Sequence, residues 1–273
     1  MASSSFPEKE LKRDSPNWLE LPRDITINIL QGVDTVEIVT NACLVCPLSW
    51  NICKDPLMWR TIHMITHYNS PKLLREDLPV FQRSCGQLED IDIHCFANDD
   101  LLKFIAENAS HLRCMWLADC RGISDKGFIE VAKKFPLLEK HNISFSESLS
   151  KDSFEVIGRS CPVLKSLTYS RCFYSICDDE AIAVGKTMTK LRHIKIYENL
   201  LTNDGLLAIL DGSPLLESLD LSGCLNFDLS EHLVKWCHEK IKDLRFPFNY
   251  IDYYFYDDGS YLDNEENYHV EDC

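Results

Sequence analysis

The sequence predicts an α/β solenoid with a small helical unit in front of it, and three observations support this fold class. A short segment with the alternation of a β-strand recurs seven times, its first positions falling between residues 88 and 241 at steps of 24 to 27 residues. Residues that favour the start of a helix follow these segments. Residues 17–62 lack this period and place apolar side chains at helical spacing instead.

The helical unit is predicted over residues 17–62. Pro22 favours the first turn of a helix, and apolar residues follow at helical spacing at Ile25, Ile29 and Leu30. A second apolar stripe consists of Val36, Val39, Ala42, Cys43 and Cys46. The segment carries more apolar surface than so few residues bury alone, so we expect it to contact the rest of the chain or another protein.

The recurring segment has the pattern of a strand that ends in a turn. In its fullest copy, Leu216–Cys224, Leu219 and Leu221 point to one side of the strand and the polar residues between them point to the other. A Cys or Asn closes the segment, at a position for a small side chain that is buried or bonds the loop backbone. The closest other copies are Leu112–Cys120, Leu164–Cys172 and Leu191–Asn199.

Helices are predicted between the strands. Ile123–Phe128 (ISDKGF) and Leu201–Leu206 (LTNDGL) share Ser, Thr, Asn and Asp residues that can cap a helix, and apolar residues at helical spacing follow. Proline then ends the helical pattern before the next strand, at Pro136, Pro162 and Pro214. Strand, turn and helix therefore alternate through the repeats.

The spacing and the closing cysteines resemble the cysteine-containing class of leucine-rich repeats. Cys120, Cys172 and Cys224 occupy the closing position. The resemblance implies a curved solenoid of about seven repeats over residues 85–247, with strands on the inner face and helices on the outer face.

Residues 17–62 resemble the F-box, on the pattern Leu21-Pro22, Ile25, Ile29-Leu30, Val45-Cys46, Trp50, Asp55-Pro56 and Trp59. Together with the repeats, this motif resembles the plant-type F-box/leucine-rich-repeat proteins. The predicted organisation is a disordered N-terminus (1–16), the F-box (17–62), a linker or capping segment (63–84), the repeats (85–247) and an acidic C-terminal tail (248–273).

The resemblance implies a substrate receptor of an SCF (Skp–cullin–F-box) ubiquitin ligase. In that family the F-box binds a Skp-family adaptor, and through it cullin and a RING subunit, while the repeats bind the protein to be ubiquitinated. The expected adaptor-binding residues are Leu21, Pro22, Ile25, Ile29, Leu30, Trp50 and Trp59. For the two tryptophans, a place in the core is an equally good interpretation, because Trp is common in both settings.

The side chains on strands that point away from the core are the candidates for binding the protein substrate. The chosen residues are Trp116, Asn142, His193, Lys195, Tyr197 and Asp220. Trp116 and Tyr197 stand out, since an exposed aromatic side chain is a frequent hot spot of binding. The alternative is a solvated polar surface without a partner.

Charge and composition exclude several other classes. With 28 Lys and Arg against 43 Asp and Glu, the net charge of −15 argues against nucleic-acid binding. There is no apolar run long enough for a membrane span and no secretory signal in the first residues, so we expect a reducing compartment, the nucleus or the cytoplasm. The 13 cysteines are then free thiols.

No enzyme activity, cofactor or metal site is expected. The sequence holds neither a phosphate-binding glycine loop nor the closely spaced Cys and His ligands of a RING domain. Cys43, Cys46, His63 and His67 resemble a zinc pattern only in part, because the 16 residues between the pairs exceed the usual spacing and contain two prolines. A repeat scaffold that binds the adaptor without forming an active ligase is the main alternative function.

Overall fold

The computed structural model describes residues 21–65, 78–171, 178–224, 226 and 230–247. An open parallel sheet of eight strands runs through them, and each strand lies beside the one before it in sequence. The strands are β1 (Thr61–Ile65), β2 (Asp90–His94), β3 (Cys114–Ala118), β4 (Lys140–Ser144), β5 (Ser166–Ser170), β6 (His193–Tyr197), β7 (Ser218–Asp220) and β8 (Asp243–Arg245).

Within the described residues, three short helices and two 3-10 turns precede β1, and seven helices follow it. The first three are α1 (Arg23–Gln31), α2 (Thr35–Thr40) and α3 (Pro47–Ile52), with 3-10 turns at Ala42–Leu44 and Pro56–Arg60. The others are α4 (Leu78–Arg83), α5 (Asp99–Asn108), α6 (Asp125–Ala132), α7 (Lys151–Ser160), α8 (Asp178–Thr187), α9 (Asn203–Gly212) and α10 (Glu231–Lys240). None of these described helices is long and apolar enough to cross a membrane.

The predicted solenoid is confirmed. Each of the seven recurring segments forms a strand, β2 to β8, and α5 to α10 alternate with these strands. Register aligns the inward side chains into rows, so that Ile91, Met115 and Leu167 belong to one row of the core. Stacking the repeats thus buries one continuous apolar interior between sheet and helices.

Helix caps in three repeats bond the repeat before them. Ser124, Ser150 and Thr202 cap α6, α7 and α9 through their hydroxyl oxygens. The hydroxyl and backbone N–H of each cap also donate to an aspartate in the first turn of the preceding helix: Ser124 to Asp99, Ser150 to Asp125 and Thr202 to Asp178, at 2.6 to 3.0 Å. One carboxylate therefore fixes the start of the neighbouring helix.

The cysteines that close the recurring segments bond the backbone of a neighbouring repeat, as the pattern predicted. The thiol of Cys120 lies 3.5 Å from the carbonyl oxygen of Ile93, and that of Cys224 lies 3.3 Å from the carbonyl oxygen of Ile196. Burial raises the pKa of Cys120 to about 12, so this thiol stays protonated. Cys172 lies outside the described residues.

The sheet begins before residue 85, where the pattern placed the first repeat. β1 extends it by one strand and crosses the predicted boundary between F-box and linker at residue 62. Buried Ile62 and Met64 give β1 its inward face. On its open edge, the backbone N–H of His63 donates to Thr35 Oγ1 and that of Ile65 to Asp34 Oδ2, at 3.0 and 2.8 Å. The N-terminus of α2 therefore closes the edge of the sheet.

One inward position of the core carries a histidine. His141 of β4 lies in register with Met115 and Leu167, is 2% exposed and stacks on Phe128. Its Nδ1 lies 3.0 Å from the carbonyl oxygen of Met115, and its Nε2 has no hydrogen-bond partner among the described residues. Burial lowers the pKa of His141 to about 4.

We expect His141 to make the fold sensitive to acid. The unfolded chain binds this proton with a pKa near 6.5 and the folded chain only near 4, so its contribution to stability is complete above pH 6.5 and is lost as the pH falls towards 4. Between pH 7 and pH 5 the loss is about 2 kcal/mol. Urea unfolding at both pH values should give a smaller loss for His141→Leu than for the wild type; equal losses would contradict the assignment.

Candidate functional site

The helical part of the chain in front of β1, residues 21–60, exposes apolar side chains and is called the N-terminal module below. Helix α1 turns Thr26 and Leu30 inward and leaves Ile25 and Ile29 41% and 38% exposed. Pro22 is exposed, and Leu21 is half-buried. Four of the five expected binding residues at the start of the module are therefore accessible, whereas Leu30 is a core residue at 7% exposure.

The two tryptophans have different surroundings. Trp50 on α3 is 47% exposed, and the Lys54 ammonium lies 5.0 Å from its ring centroid. Trp59 is 1% exposed, donates through Nε1 to the carbonyl oxygen of Cys53 at 2.9 Å, and packs under the guanidinium of Arg83. Trp59, like Leu30, is therefore buried, so the structure favours a place in the core over direct adaptor contact for both side chains. Both side chains are part of the apolar core.

Three exposed apolar residues of the module were not among the predicted binding residues. Leu44, Val45 and Leu57 are 69%, 74% and 53% exposed. Leu44 is the last residue of the 3-10 turn between α2 and α3, and Val45 follows it with helical backbone angles, so two consecutive apolar side chains face outward. Two adjacent apolar residues just before Cys46-Pro47 are the signal in the sequence that could have revealed them.

Ionic contacts hold the exposed residues of the module in place. Arg23 at the start of α1 bonds Asp55 at 2.6 Å, which ties α1 to the turn that carries Leu57. Arg60 bonds Glu89, one residue before β2, also at 2.6 Å. The exposed apolar residues are therefore attached to the sheet through a defined set of contacts, in addition to the edge of β1.

Two cysteines of the partial zinc pattern, Cys43 and Cys46, have other contacts in the structure. Cys43 is buried, and its neighbour is Cys53, whose pKa is raised to about 12 by burial and by the nearby Cys43 thiol. Cys46 instead caps α3, accepting the N–H of Ser49 at 3.4 Å. The described residues contain no cluster of three or more His, Cys, Asp or Glu side chains suited to a metal, and His67 lies outside them.

The outward face of the strands aligns the predicted substrate-binding residues. Register places Trp116, Asn142, Lys195 and Asp220 in the central row across the sheet, together with His63, Asp92 and Thr168. His193 lies in the row before it and Tyr197 in the row after it. Trp116 is 41% exposed. The six predicted residues thus share one face of the sheet, which we call the strand face.

Charged side chains lie close to one another at both ends of the strand face. At the β1–β2 end, Asp92 lies 2.8 Å from His94 Nε2 and 3.7 Å from His63 Nδ1. The hydrogen bond to Asp92 raises the pKa of His63, and burial raises that of neighbouring Asp90. At the other end, Lys195 and Arg245 each lie 4.0 Å from Asp220.

An aromatic pair crosses the strand face near the ends of β4 and β6. The rings of Phe145 and Tyr197 meet edge to face with centroids 5.9 Å apart, and the Lys195 ammonium lies 5.1 Å from the Tyr197 ring. Phe145 adopts a left-handed backbone, with φ of 55°, a conformation that bulky residues rarely take. Phe145 was not among the predicted substrate-binding residues, because it follows the strand and its outward direction depends on this turn.

Comparison with known proteins gives close relatives among plant proteins. The chain is 41% identical over 256 residues to "Putative F-box/LRR-repeat protein 23" of Arabidopsis thaliana, covering 89% of this chain and 57% of that protein. It is 40% identical to "F-box protein SKIP19" (90% and 83% covered) and 36% identical to "Putative F-box/LRR-repeat protein 9" (86% and 98% covered), both also of Arabidopsis thaliana. The chain thus spans little more than half of the first relative's length.

Other comparisons are more distant. A solved structure of the yeast Rad7 and Elc1 complex aligns with 83% of this chain and 51% of that chain, at 21% identity and a TM-score of 0.46. No family model matches the chain.

Replacing each tryptophan should show, through the loss of stability, which ring is buried and which is exposed. Trp59→Ala removes a fully buried ring and should lower the free energy of unfolding by about 3–5 kcal/mol. Trp50→Ala removes a half-exposed ring and should cost less than about 1 kcal/mol. Urea unfolding followed by far-UV circular dichroism measures both, and equal losses would contradict the assigned environments.

Proposed function

Because the chain belongs to the plant F-box/leucine-rich-repeat proteins, we propose that it is the substrate-recognition subunit of an SCF-type ubiquitin ligase. The N-terminal module binds a Skp-family adaptor and, through it, cullin and a RING subunit. The strand face binds the protein that is ubiquitinated.

The observation that carries the proposal is the set of exposed apolar side chains on the N-terminal module. Ile25, Ile29, Leu44, Val45, Trp50 and Leu57 are each more than a third exposed. So many large apolar residues on the surface of a small unit favour a protein partner, because exposure of apolar surface to water is unfavourable. An adaptor that covers them removes this apolar area from water, which is the main driving force of such interfaces.

Leu21, Pro22, Ile25, Ile29 and Trp50 keep their proposed role in adaptor binding, and Leu44, Val45 and Leu57 join them. Leu30 and Trp59 act indirectly by supporting this surface from below. On the strand face, Trp116, Asn142, His193, Lys195, Tyr197 and Asp220 contact the substrate protein, and Trp116 is the central apolar anchor.

The proposed mechanism is proximity. Because the module and the strand face are parts of one connected structure, a bound substrate is held at a set distance from the ligase machinery. Its lysines then meet the ubiquitin-charged conjugating enzyme at a raised effective concentration. The chain itself provides no catalytic group in this scheme. The nucleus or the cytoplasm is the proposed location.

A repeat scaffold that binds the adaptor without assembling a ligase is the alternative function. Both functions require the adaptor, and only the first requires cullin. Co-purification with adaptor and cullin together therefore decides between them.

Ile25→Ser should weaken adaptor binding at least tenfold, because it removes an apolar contact from the centre of the exposed face of α1. Leu207→Ser is the matched control, since Leu207 on α9 is also 41% exposed but lies far along the solenoid. The Leu21→Ala/Pro22→Ala double variant should also lose adaptor and cullin. Capture of both partners is measured by affinity purification beside thermal unfolding of each variant. Retained binding in every module variant would refute the assigned surface.

Substrate capture should depend on Trp116 and not on the module. Trp116→Ala should keep adaptor and cullin but lose proteins that co-purify with the wild type under proteasome inhibition. Trp50→Ala should show the reverse, with less adaptor and an unchanged set of captured proteins. Quantitative mass spectrometry of the purified complexes measures both, and an unchanged protein set with Trp116→Ala would contradict the strand-face assignment.

A further inference from the structure

A groove lies at the edge of the sheet where the strands begin, apart from both surfaces described above. It has a volume of about 570 Å³ and extends past the starts of β3 to β6. Neither the N-terminal module nor the outward central row of the strand face contributes to it. In each repeat, the residues that line the groove lie in the short turn between the end of a helix and the next strand.

Apolar side chains form part of the lining of the groove. Leu137 and Leu215 are 46% and 47% exposed, although the residues that follow them, Leu138 and Leu216, are buried. Val163 takes the equivalent place in the repeat between them. The repeat therefore produces a row of aliphatic side chains, exposed at Leu137 and Leu215 and half-buried at Val163, which suits aromatic or aliphatic groups of a partner.

Basic side chains form another part of the lining. The lining contains four basic side chains, Arg113, Lys165, Lys190 and Arg192, and two carboxylates, Glu89 and Glu139. Arg192 also bonds Glu217, which is not part of the lining. Glu139 is shared by Arg113 and Lys165, and these hydrogen bonds keep its pKa below its usual range. Lys190 takes part in none of the ion pairs formed within the described ranges. The groove is thus locally cationic on a chain whose net charge is −15.

The chain itself contains a segment with the complementary chemistry. Residues 248–273 hold eight Asp and Glu, six Tyr and no Lys or Arg. The segment follows Pro247, two residues after the last strand. Strand spacing of about 4.8 Å puts the middle of the groove some 20 Å away, whereas 26 residues reach up to about 85 Å when extended. The connection therefore spans the distance with many residues to spare.

We propose that residues 248–273 bind this groove within the same chain. Their carboxylates meet Lys165, Lys190 and Arg192, and their aromatic rings cover Leu137 and Leu215. Because the segment is tethered, its effective concentration at the groove is high, and an acidic peptide of another protein has to displace it. The inference goes beyond the proposed function and does not depend on adaptor or substrate binding.

Zero-length carbodiimide cross-linking of the full chain tests the proposal. The reagent joins lysine amines to carboxylates that are in direct contact, and mass spectrometry identifies the pairs. Lys190 should give amide links to acidic residues between Asp252 and Asp272. Exposed Lys103 on α5 and Lys126 on α6 are the matched control lysines, and their links to this segment should be at least fivefold weaker.

A second test replaces apolar residues of the groove and leaves every lysine in place. Leu137→Ser/Leu215→Ser should lower the yield of links between Lys190 and the segment at least fivefold, whereas Leu207→Ser on α9 should leave it unchanged. The replaced leucines are half-exposed, so melting temperatures should stay close to that of the wild type, which verifies that the variants fold.

Mixing isotope-labelled with unlabelled chains separates binding within one chain from binding between chains. Links that stay within one isotope class support the proposal, whereas links of mixed mass assign the groove to a second copy and overturn it. Links spread evenly over Lys190, Lys103 and Lys126, or a yield indifferent to the leucine replacements, also overturn it. Adaptor capture is measured separately, so a failure of the proposed function leaves this result interpretable.

Discussion

The closed edge of β1 is the contact on which the arrangement of the molecule depends. A parallel sheet that grows by one strand per repeat has an unpaired strand at its start, and unpaired backbone groups are costly or attract other chains. Here Asp34 and Thr35 accept the free N–H groups of Ile65 and His63. Asp34 also caps α2 through its other oxygen, at 2.8 Å from the N–H of Val36. One side chain thus starts a helix and ends the sheet, and the N-terminal module becomes the cap of the solenoid.

Hydrogen bonds between neighbouring repeats connect the helices farther along the sheet. A cap that serves its own helix and bonds the preceding aspartate, as Ser150 does with Asp125, forms well only when both repeats are in place. Desolvation opposes ionisation of Asp125, yet its bonds to Ser153 and Ser150 keep its pKa below the usual value. The proposed function by proximity needs such a stiff connection, since a loose hinge between the N-terminal module and the strand face would lower the effective concentration of a bound substrate.

Which side chains face outward could be predicted from the sequence for the strand face but only in part for the N-terminal module. On the strand face, alternation along the chain assigned each side chain to one side of the sheet, and Trp116 and Lys195 are exposed as expected. In the short helix α3 and the 3-10 turn Pro56–Arg60, residue spacing left Trp50 and Trp59 undecided, because elements of five or six residues have too few turns to define a buried face. The contacts of Trp59 with Cys53 and Arg83, which join separate segments, decided the matter. Phe145 was missed because its direction depends on a left-handed turn that no spacing rule reveals.

The sequence by itself determined the repeat, and hence the solenoid, the strand positions and the outward rows, because a repeated pattern buries its apolar side chains in only one way when copies stack. It also determined the presence of the module, through motif and helical spacing. Only the tertiary structure decided how the module joins the sheet, which of its apolar residues stay exposed, and that turns between helix and strand form a cationic groove. These features arise from contacts between residues 25 or more positions apart, such as Arg60 with Glu89 and Lys165 with Glu139, and local patterns carry no information about them.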